Sequence, residues 1–319
     1  MADWKKPALG AWLALAASMS CGHAASCSAA ASAVNFGVAT AAGLNGMTTT
    51  GTINEGCTPG WSTFGTLAMC NSIGAGSNSA SQASRTLKFG ANSISYQLYY
   101  DAAFTQLFAF PGSDTLAIPY ATAGGGTTTS TIYAKVLSSA AGLPPSIYID
   151  NYTLPSQVYI TFDATAPNTP IACGPVGNPY VSASPTFQVS LNLQTSCAVS
   201  ATTMNFGNAG PLTANVDASA NLSITCMASS PYTVALSAGT ASGATTSTRA
   251  MTGPGGTVKY GLYRNVARTT NWGSNTGVDT VAGTGTGLTQ SLPVYGRVPP
   301  QTTPTIGAYN DTVVVTLSY

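Results

Sequence analysis

The feature that constrains this chain most is that it is written twice. Cys27 is followed by Asn35-Phe36-Gly37 and Cys197 by Asn205-Phe206-Gly207, with one C-x7-N-F-G spacing, and the next cysteines, Cys57 and Cys226, come 30 and 29 positions on. Arg85 precedes Tyr96-Gln97-Leu98-Tyr99 and Arg249 precedes Tyr260-Gly261-Leu262-Tyr263, 11 positions from Arg to the first Tyr in both halves. Tyr133-Ala134-Lys135-Val136 matches Tyr295-Gly296-Arg297-Val298, and each half closes on an alternating run, Val158 to Phe162 and Val313 to Leu317. Spacings kept in order mark a duplication, so the chain reads as two domains of one fold. Its 319 residues are about the length two domains need.

The repeated unit is all-β. Phe187-Gln188-Val189-Ser190-Leu191-Asn192-Leu193 alternates apolar and polar residues without a miss, as does the run through Val313, Val315 and Leu317 apart from Val314. Strict alternation buries one face of a strand. Gly- and Pro-rich turns separate the short strands, and helical periodicity is absent after the first 24 residues, which fits two immunoglobulin-like β-sandwiches in tandem. Residues 164 to 186 hold Pro167, Pro170, Pro175, Pro179 and Pro185, a stiff composition that reads as a linker. The expected division is therefore a first sandwich over 25–163, the linker over 164–186 and a second sandwich over 187–319.

Residues 1–24 read as a secretory signal. Lys5 and Lys6 form a short positive region, Ala8 to Met19 an apolar run too short to span a bilayer, and Gly22-His23-Ala24 a small-residue cleavage site. Export changes the chemistry available, because His23 is the chain's single histidine and leaves with the signal. Ser-His-Asp and Cys-His mechanisms are then excluded. The acids left, Glu55, Asp101, Asp114, Asp150, Asp163, Asp217, Asp279 and Asp311, are scattered, with no pair spaced to share acid and base roles or hold a hard cation. No enzyme, no cofactor and no metal site is expected. With 10 Lys or Arg against 9 Asp or Glu, only 6% of residues are charged, and no basic cluster exists to track a phosphate backbone. Nucleic acid is excluded as a partner.

Six cysteines remain after the signal, an even number in an exported chain and without a CxxC, which indicates structural disulfides. If Cys27 pairs with Cys57, the repeat pairs Cys197 with Cys226 and leaves Cys70 for Cys173.

In the second half, Cys197, Asn205-Phe206-Gly207, Cys226, Tyr232-Thr233-Val234-Ala235-Leu236, Arg249-Ala250-Met251, Tyr260-Gly261-Leu262-Tyr263, Trp272-Gly273, Val294-Tyr295-Gly296-Arg297-Val298-Pro299 and Tyr309-Asn310-Asp311 stand in order. This set resembles the spore coat protein U family, whose members include subunits of archaic chaperone-usher pili. The first half keeps the Cys, Asn-Phe-Gly, Arg and Tyr-x-Leu-Tyr positions but lacks Trp-Gly and the full Val-Tyr-Gly-Arg motif. The resemblance implies pilins whose sandwich lacks its last strand and is completed by a strand from a periplasmic chaperone or from the next pilus subunit, delivered through an outer-membrane usher. No residues follow Tyr319, so the second domain is expected to expose an apolar groove, with Phe187, Val189, Leu191, Leu193, Val313, Val315 and Leu317 as its lining. Only Ala25 and Ser26 precede Cys27 once the signal is cut. A chain that accepts a strand without donating one belongs at the tip of a cell-surface pilus, and two-domain tip subunits of such pili are adhesins.

Contact with an abiotic or host surface is expected on loops of the first domain. Phe104, Leu107, Phe108, Phe110, Leu116, Ile118 and Tyr120 crowd one stretch, an insertion after Cys57 brings Trp61 and Phe64, and a third loop brings Leu143-Pro144-Pro145. Exposed apolar clusters on loops mark contact surfaces. Two other readings remain: a structural coat or fibre protein without a binding site, and a carbohydrate-binding module using Asp101, Asp114 and Tyr120. Arg85 and Arg249 share one repeated position, which favours a structural hydrogen-bonding role.

Overall fold

The computed structural model describes residues 26–58, 65–112, 114–120, 125–162 and 181–319. The first sandwich is built from β1 (Ser26–Ala31), β2 (Val34–Ala39), β3 (Thr48–Thr58), β4 (Gly65–Ile73), β5 (Arg85–Phe89), β6 (Asn92–Tyr99), β7 (Asp114–Tyr120), β8 (Gly126–Val136), β9 (Ser146–Tyr152), β10 (Val158–Phe162), β11 (Val181–Ala183) and β12 (Phe187–Leu193). They form an eight-stranded sheet, β1-β3-β8-β6-β5-β9-β12-β2, over a four-stranded one, β11-β10-β4-β7. The second sandwich holds β13 (Cys197–Ala201), β14 (Val216–Cys226), β15 (Pro231–Leu236), β16 (Arg249–Gly253), β17 (Gly256–Tyr263), β18 (Val281–Thr284), β19 (Thr289–Val298) and β20 (Val315–Ser318). Its sheets are β13-β14-β19-β17-β16 and β18-β15-β20.

The expected boundaries need correction at β12. Phe187 to Leu193 pairs antiparallel with Tyr152 to Ser146 of β9 and parallel with β2, and Phe187, Val189, Leu191 and Leu193 are buried in the core of the first sandwich. Alternation showed that one face of this segment is buried. It could not show whose core receives that face, because any strand with a vacant edge beside it satisfies the same pattern. The expected linker is interrupted as well, since Val181–Ala183 pairs with Phe162–Ile160; residues 163–180 lie outside the described ones. The second sandwich thus begins at Cys197, separated from β12 by three residues.

Two expected disulfides are formed. Cys27 and Cys57 face each other across β1 and β3, as Cys197 and Cys226 do across β13 and β14, with a Cα separation of 4.1 Å in both cases. Cys70 is fully buried and disulfide-bonded, and Cys173 lies outside the described residues.

The duplication extends to side-chain chemistry. Asn35 and Asn205 each accept the N–H of the glycine two residues on, which turns the chain at a left-handed Gly37 (φ 79°) and Gly207 (φ 74°). Arg85 and Arg249 are fully buried. Arg85 donates from Nε to Gly74 O (2.9 Å) and from Nη2 to Ile73 O (2.7 Å) and Phe108 O (2.9 Å); Arg249 donates from Nε to Ser237 O (2.8 Å) and from Nη2 to Leu236 O (3.1 Å) and Trp272 O (2.8 Å). With Nη1 donating to Gln82 O (2.9 Å) in one domain and Thr246 O (2.6 Å) in the other, the guanidinium fork pins four backbone carbonyls in each. These bonds make Ile73 the equivalent of Leu236 and Phe108 the equivalent of Trp272. Tyr96 Oη donates to Asp150 (2.8 Å) and Tyr260 Oη to Asp311 (2.7 Å), which makes those two carboxylates equivalent in turn.

The domains meet over a short junction. Gln194 N–H donates to Ala39 O (2.8 Å), Met227 of the second domain is buried in the first core, and the backbones of Gly142 and Gly287 abut.

A candidate strand-accepting cleft and the far pole of the first domain

The second domain carries a cleft of about 350 Å³. One wall is Ala201 to Met204 with Phe206, the other Tyr309 to Val313 with Val315, and Leu236, Met251, Tyr260 and Leu262 line it between them. Among the described residues, β13 pairs only with β14 and β20 only with β15, so the edges bordering the cleft present unpaired backbone groups. Val313, Val315 and Leu317 turn toward the second core but are only half-buried, while Val314 between them is 58% exposed. A strand carrying apolar side chains on alternate positions would bury them.

The first domain shows why the cleft is where it is. By the repeat, Met204 to Ala209 corresponds to β2, and Gly307 to Val313, through the equivalence of Asp311 and Asp150, corresponds to β9. In the first domain β12 lies between those two strands. In the second, no strand among the described residues lies between the corresponding walls, and the cleft is found there. Of the residues expected in the groove, Val313 and Val315 line it and Leu317 packs on the adjoining core. Phe187, Val189, Leu191 and Leu193 fill the equivalent place in the other domain. Met204, Phe206, Tyr260, Tyr309 and Asp311 were missed, although the repeat points to Met204 and Phe206 through Val34 and Phe36.

Electrostatics differ between the two copies. Asp150 is fully buried, and desolvation raises its pKa despite hydrogen bonds from Ser79 Oγ, the Asn78 N–H and Tyr96 Oη. At Asp311 burial acts in the same direction, but the Thr240 N–H and the Tyr260 hydroxyl outweigh it and hold the carboxyl below its usual value. Burial and the neighbouring Asp311 push the Tyr260 phenol well up. Among the described residues no group of three His, Cys, Asp or Glu is placed to hold a metal ion.

The described side chains among the residues expected to touch a surface scatter. Phe108 is 1% exposed, with its ring edge-on to Tyr100. It is core, in the place of Trp272, and the sequence held the signal: 23 positions separate Arg85 from Phe108 and Arg249 from Trp272. Phe104 is half-buried, left-handed at φ 56°, and packs edge-on against Tyr99 (5.4 Å) and Tyr133 (6.3 Å). Its counterpart Arg268, at φ 57° and likewise five residues past the second Tyr of the motif, covers Tyr295. Both clamp the outer face of a sheet. Phe110 is half-buried and donates its N–H to Gln82 Oε1 (2.6 Å). Leu143 packs on the first core at the junction with the second domain, the end from which β9 departs. Asp101 is occupied in closing its own turn, accepting the N–H groups of Thr105 and Gln106, and so is not the free ligand a sugar site would need.

The far pole of the first domain is built differently from its counterpart in the second. β3 leaves the junction side, where Gly46 N–H donates to Val136 O, and β8 returns to it, so Thr58 and Gly126 stand at the opposite pole. β4 and β7 end beside them. Their ladder runs from Asn71 paired with Asp114 to Gly65 paired with Tyr120, whereas the equivalent β15–β18 ladder stops at Pro231 paired with Thr284. With Ala68 in the place of Pro231, the first-domain ladder reaches three pairs further, to Leu67–Ile118, Thr66–Pro119 and Gly65–Tyr120. Ile118 and Tyr120 stand on that extension; their side chains, with the whole of Trp61 and Phe64, lie outside the described residues.

Comparison with known proteins agrees with this architecture. No curated protein matches the chain. A crystal structure of the CsuC-CsuE chaperone-tip adhesion subunit pre-assembly complex, from archaic chaperone-usher Csu pili of Acinetobacter baumannii, is similar over 92% of this chain and 100% of the matched one, with a TM-score of 0.52 and 15% identity. The CupB6 tip adhesin from Pseudomonas aeruginosa aligns over 93% of this chain and 95% of its own, with a TM-score of 0.40 and 12% identity. The Spore Coat Protein U domain matches twice, at residues 13–154 and 183–316, once for each repeat. With both sandwiches matched, the chain belongs to the Spore Coat Protein U domain family.

Proposed function

We propose that this protein is a tip adhesin of a chaperone-usher pilus: the second domain joins the fibre by accepting a strand, and the first attaches to a surface through apolar loops. The observation that carries the reading is the cleft, which lies in the second sandwich where β12 completes the first. An added strand would find backbone partners on both walls and an apolar floor, the β-augmentation mode of recognition. A periplasmic chaperone fills it first, the usher exchanges it for the next subunit, and the protein ends at the distal end of a surface pilus. The similarity in fold to a chaperone-bound tip subunit is consistent with this order. Attachment is assigned to the pole remote from the junction, where the β4–β7 ladder extends to the pair Gly65–Tyr120.

The test is co-expression of the full chain with a periplasmic chaperone of the archaic type. The expected result is a one-to-one complex that protects the second domain from protease, weakened by Val315→Asp and Leu317→Asp and unaffected by Ile118→Ser with Tyr120→Ser. The pole variant should instead lose adhesion to a hydrophobic surface. A full chain that resists protease equally with and without chaperone would refute the strand-accepting part.

A further inference from the structure

The structure assigns a second meaning to β12. Only three residues separate it from Cys197 and it belongs by position to the second domain, yet its side chains complete the first. The first repeat, taken from Cys27 to Phe162, is therefore as incomplete as the second, and the strand that closes it is the N-terminal extension of the domain that follows. We propose that the junction inside this chain is a covalent copy of the junction it makes with its neighbour. This rests on the cleft being strand-accepting, and it specifies the partner: a chain built like the second domain, whose N-terminal extension carries large apolar residues four, six, eight and ten positions before its first cysteine.

That spacing is read directly from β12. Leu193, Leu191, Val189 and Phe187 precede Cys197 by four, six, eight and ten residues, and they are 1%, 0%, 0% and 7% exposed. Gln188, Ser190 and Asn192 between them face outward. A connector of three residues reaches at most about 11 Å, so the apolar phase and the first cysteine cannot drift relative to each other. The direction follows as well. β12 runs antiparallel to β9 and parallel to β2, so the incoming strand runs antiparallel to 307–313 and parallel to 204–209. At one point the two joints differ. Phe187 stacks flat on Tyr152, with ring centroids 4.4 Å apart and planes at 6°, whereas the residue equivalent to Tyr152 is Val313. With the smaller Val313 below it, the cleft takes a ring at least as large as Phe in the position ten residues before the partner's cysteine.

The test uses the full chain and two synthetic peptides with the sequence of residues 186–194, one carrying Val189→Cys and the other Leu193→Cys. Val189 lies opposite Val34, the equivalent of Met204, and Leu193 opposite Ala39, the equivalent of Ala209. The Val189→Cys peptide should form a disulfide with a Met204→Cys chain at least tenfold faster than the Leu193→Cys peptide does. An Ala209→Cys chain, altered at an exposed position, should show the reverse preference. A peptide with its apolar residues moved to positions 188, 190 and 192 should link to neither. Reversed preferences, or equal linking by the phase-shifted peptide, would overturn the copied-junction proposal and leave the cleft as a strand acceptor. If no peptide links while chaperone protection persists, the proposal fails and the proposed function stands; if both fail, both fall.

Discussion

Replacing Phe108 by Ala in the full chain separates a core role from a surface role at one residue. Phe108 is 1% exposed, its N–H donates to Leu98 O (3.0 Å) and its carbonyl accepts from Arg85 (2.9 Å). Alanine keeps both backbone bonds, so the loss is confined to the ring: its burial, its cavity and the edge-on contact with Tyr100 at 5.7 Å. Core Phe→Ala changes cost about 3–5 kcal/mol. For a domain of this size, at roughly 2–4 °C per kcal/mol, the first-domain transition should fall by about 10 °C. Scanning calorimetry of the full chain reads this directly, because the second-domain transition serves as an internal reference. Trp272→Ala should produce a loss of similar size in the other transition, with the Nε1–H bond to Val234 O (3.0 Å) lost as well. Leu107→Ala, next in sequence but 41% exposed, should change stability by about 0.5 kcal/mol or less. If Phe108→Ala leaves both transitions within 2 °C (about 0.5–1 kcal/mol) and abolishes attachment instead, the core assignment and the equivalence with Trp272 are wrong.

Further outcomes follow from the same packing. Arg85→Lys should destabilise the first domain almost as much as Arg85→Met, by about 5 kcal/mol or more, since one ammonium cannot reach Gly74 O, Gln82 O, Gln97 Oε1, Ile73 O and Phe108 O together; chemical denaturation would contradict this with a loss under 2 kcal/mol. Leu191→Ala should lower the first-domain transition, by about 2–5 kcal/mol, and leave the second unchanged; a shift of the second alone would return β12 to that domain. Converting Cys197 and Cys226 together to Ser opens a loop of 29 residues and should cost the second domain about 3–4 kcal/mol, and loosen the β13 wall of the cleft, read as weaker chaperone protection. The Asp217 carboxyl is held low by the hydrogen bond from Arg297, so it lends the second domain a stability present above its unfolded value of about pH 4 and lost as pH falls through the lowered one. Asp217→Asn should flatten that acid loss, by less than about 1 kcal/mol because the pair is exposed, and an unchanged pH profile would contradict the assignment.

Two domains of one fold, two of the disulfide pairs and the repeated arginine were legible in the sequence for one physical reason. Each depends on residues whose spacing is copied whenever the unit is copied, and a fold that buries an arginine under four carbonyls must keep its distance to the segments that supply them. Among the aromatics around Phe104, Phe108 proved to be core and not contact surface, because density of Phe and Tyr says nothing about direction. The spacing of 23 residues to Phe108 and Trp272 would have placed one of them in the core, and five residues past Tyr99 and Tyr263 would have paired Phe104 with Arg268 as covers of a sheet.

Tertiary structure alone decided where β12 belongs. Period-two alternation fixes which side chains of a strand are buried, but the strand's backbone can be taken by any edge within reach of its connector. Phe187 to Leu193 lay next in sequence to the second domain and was taken by the first, between β9 and β2. A groove was expected from the family resemblance, but its walls at Ala201 to Met204 and Tyr309 to Val313 could be placed only when the two copies were laid side by side.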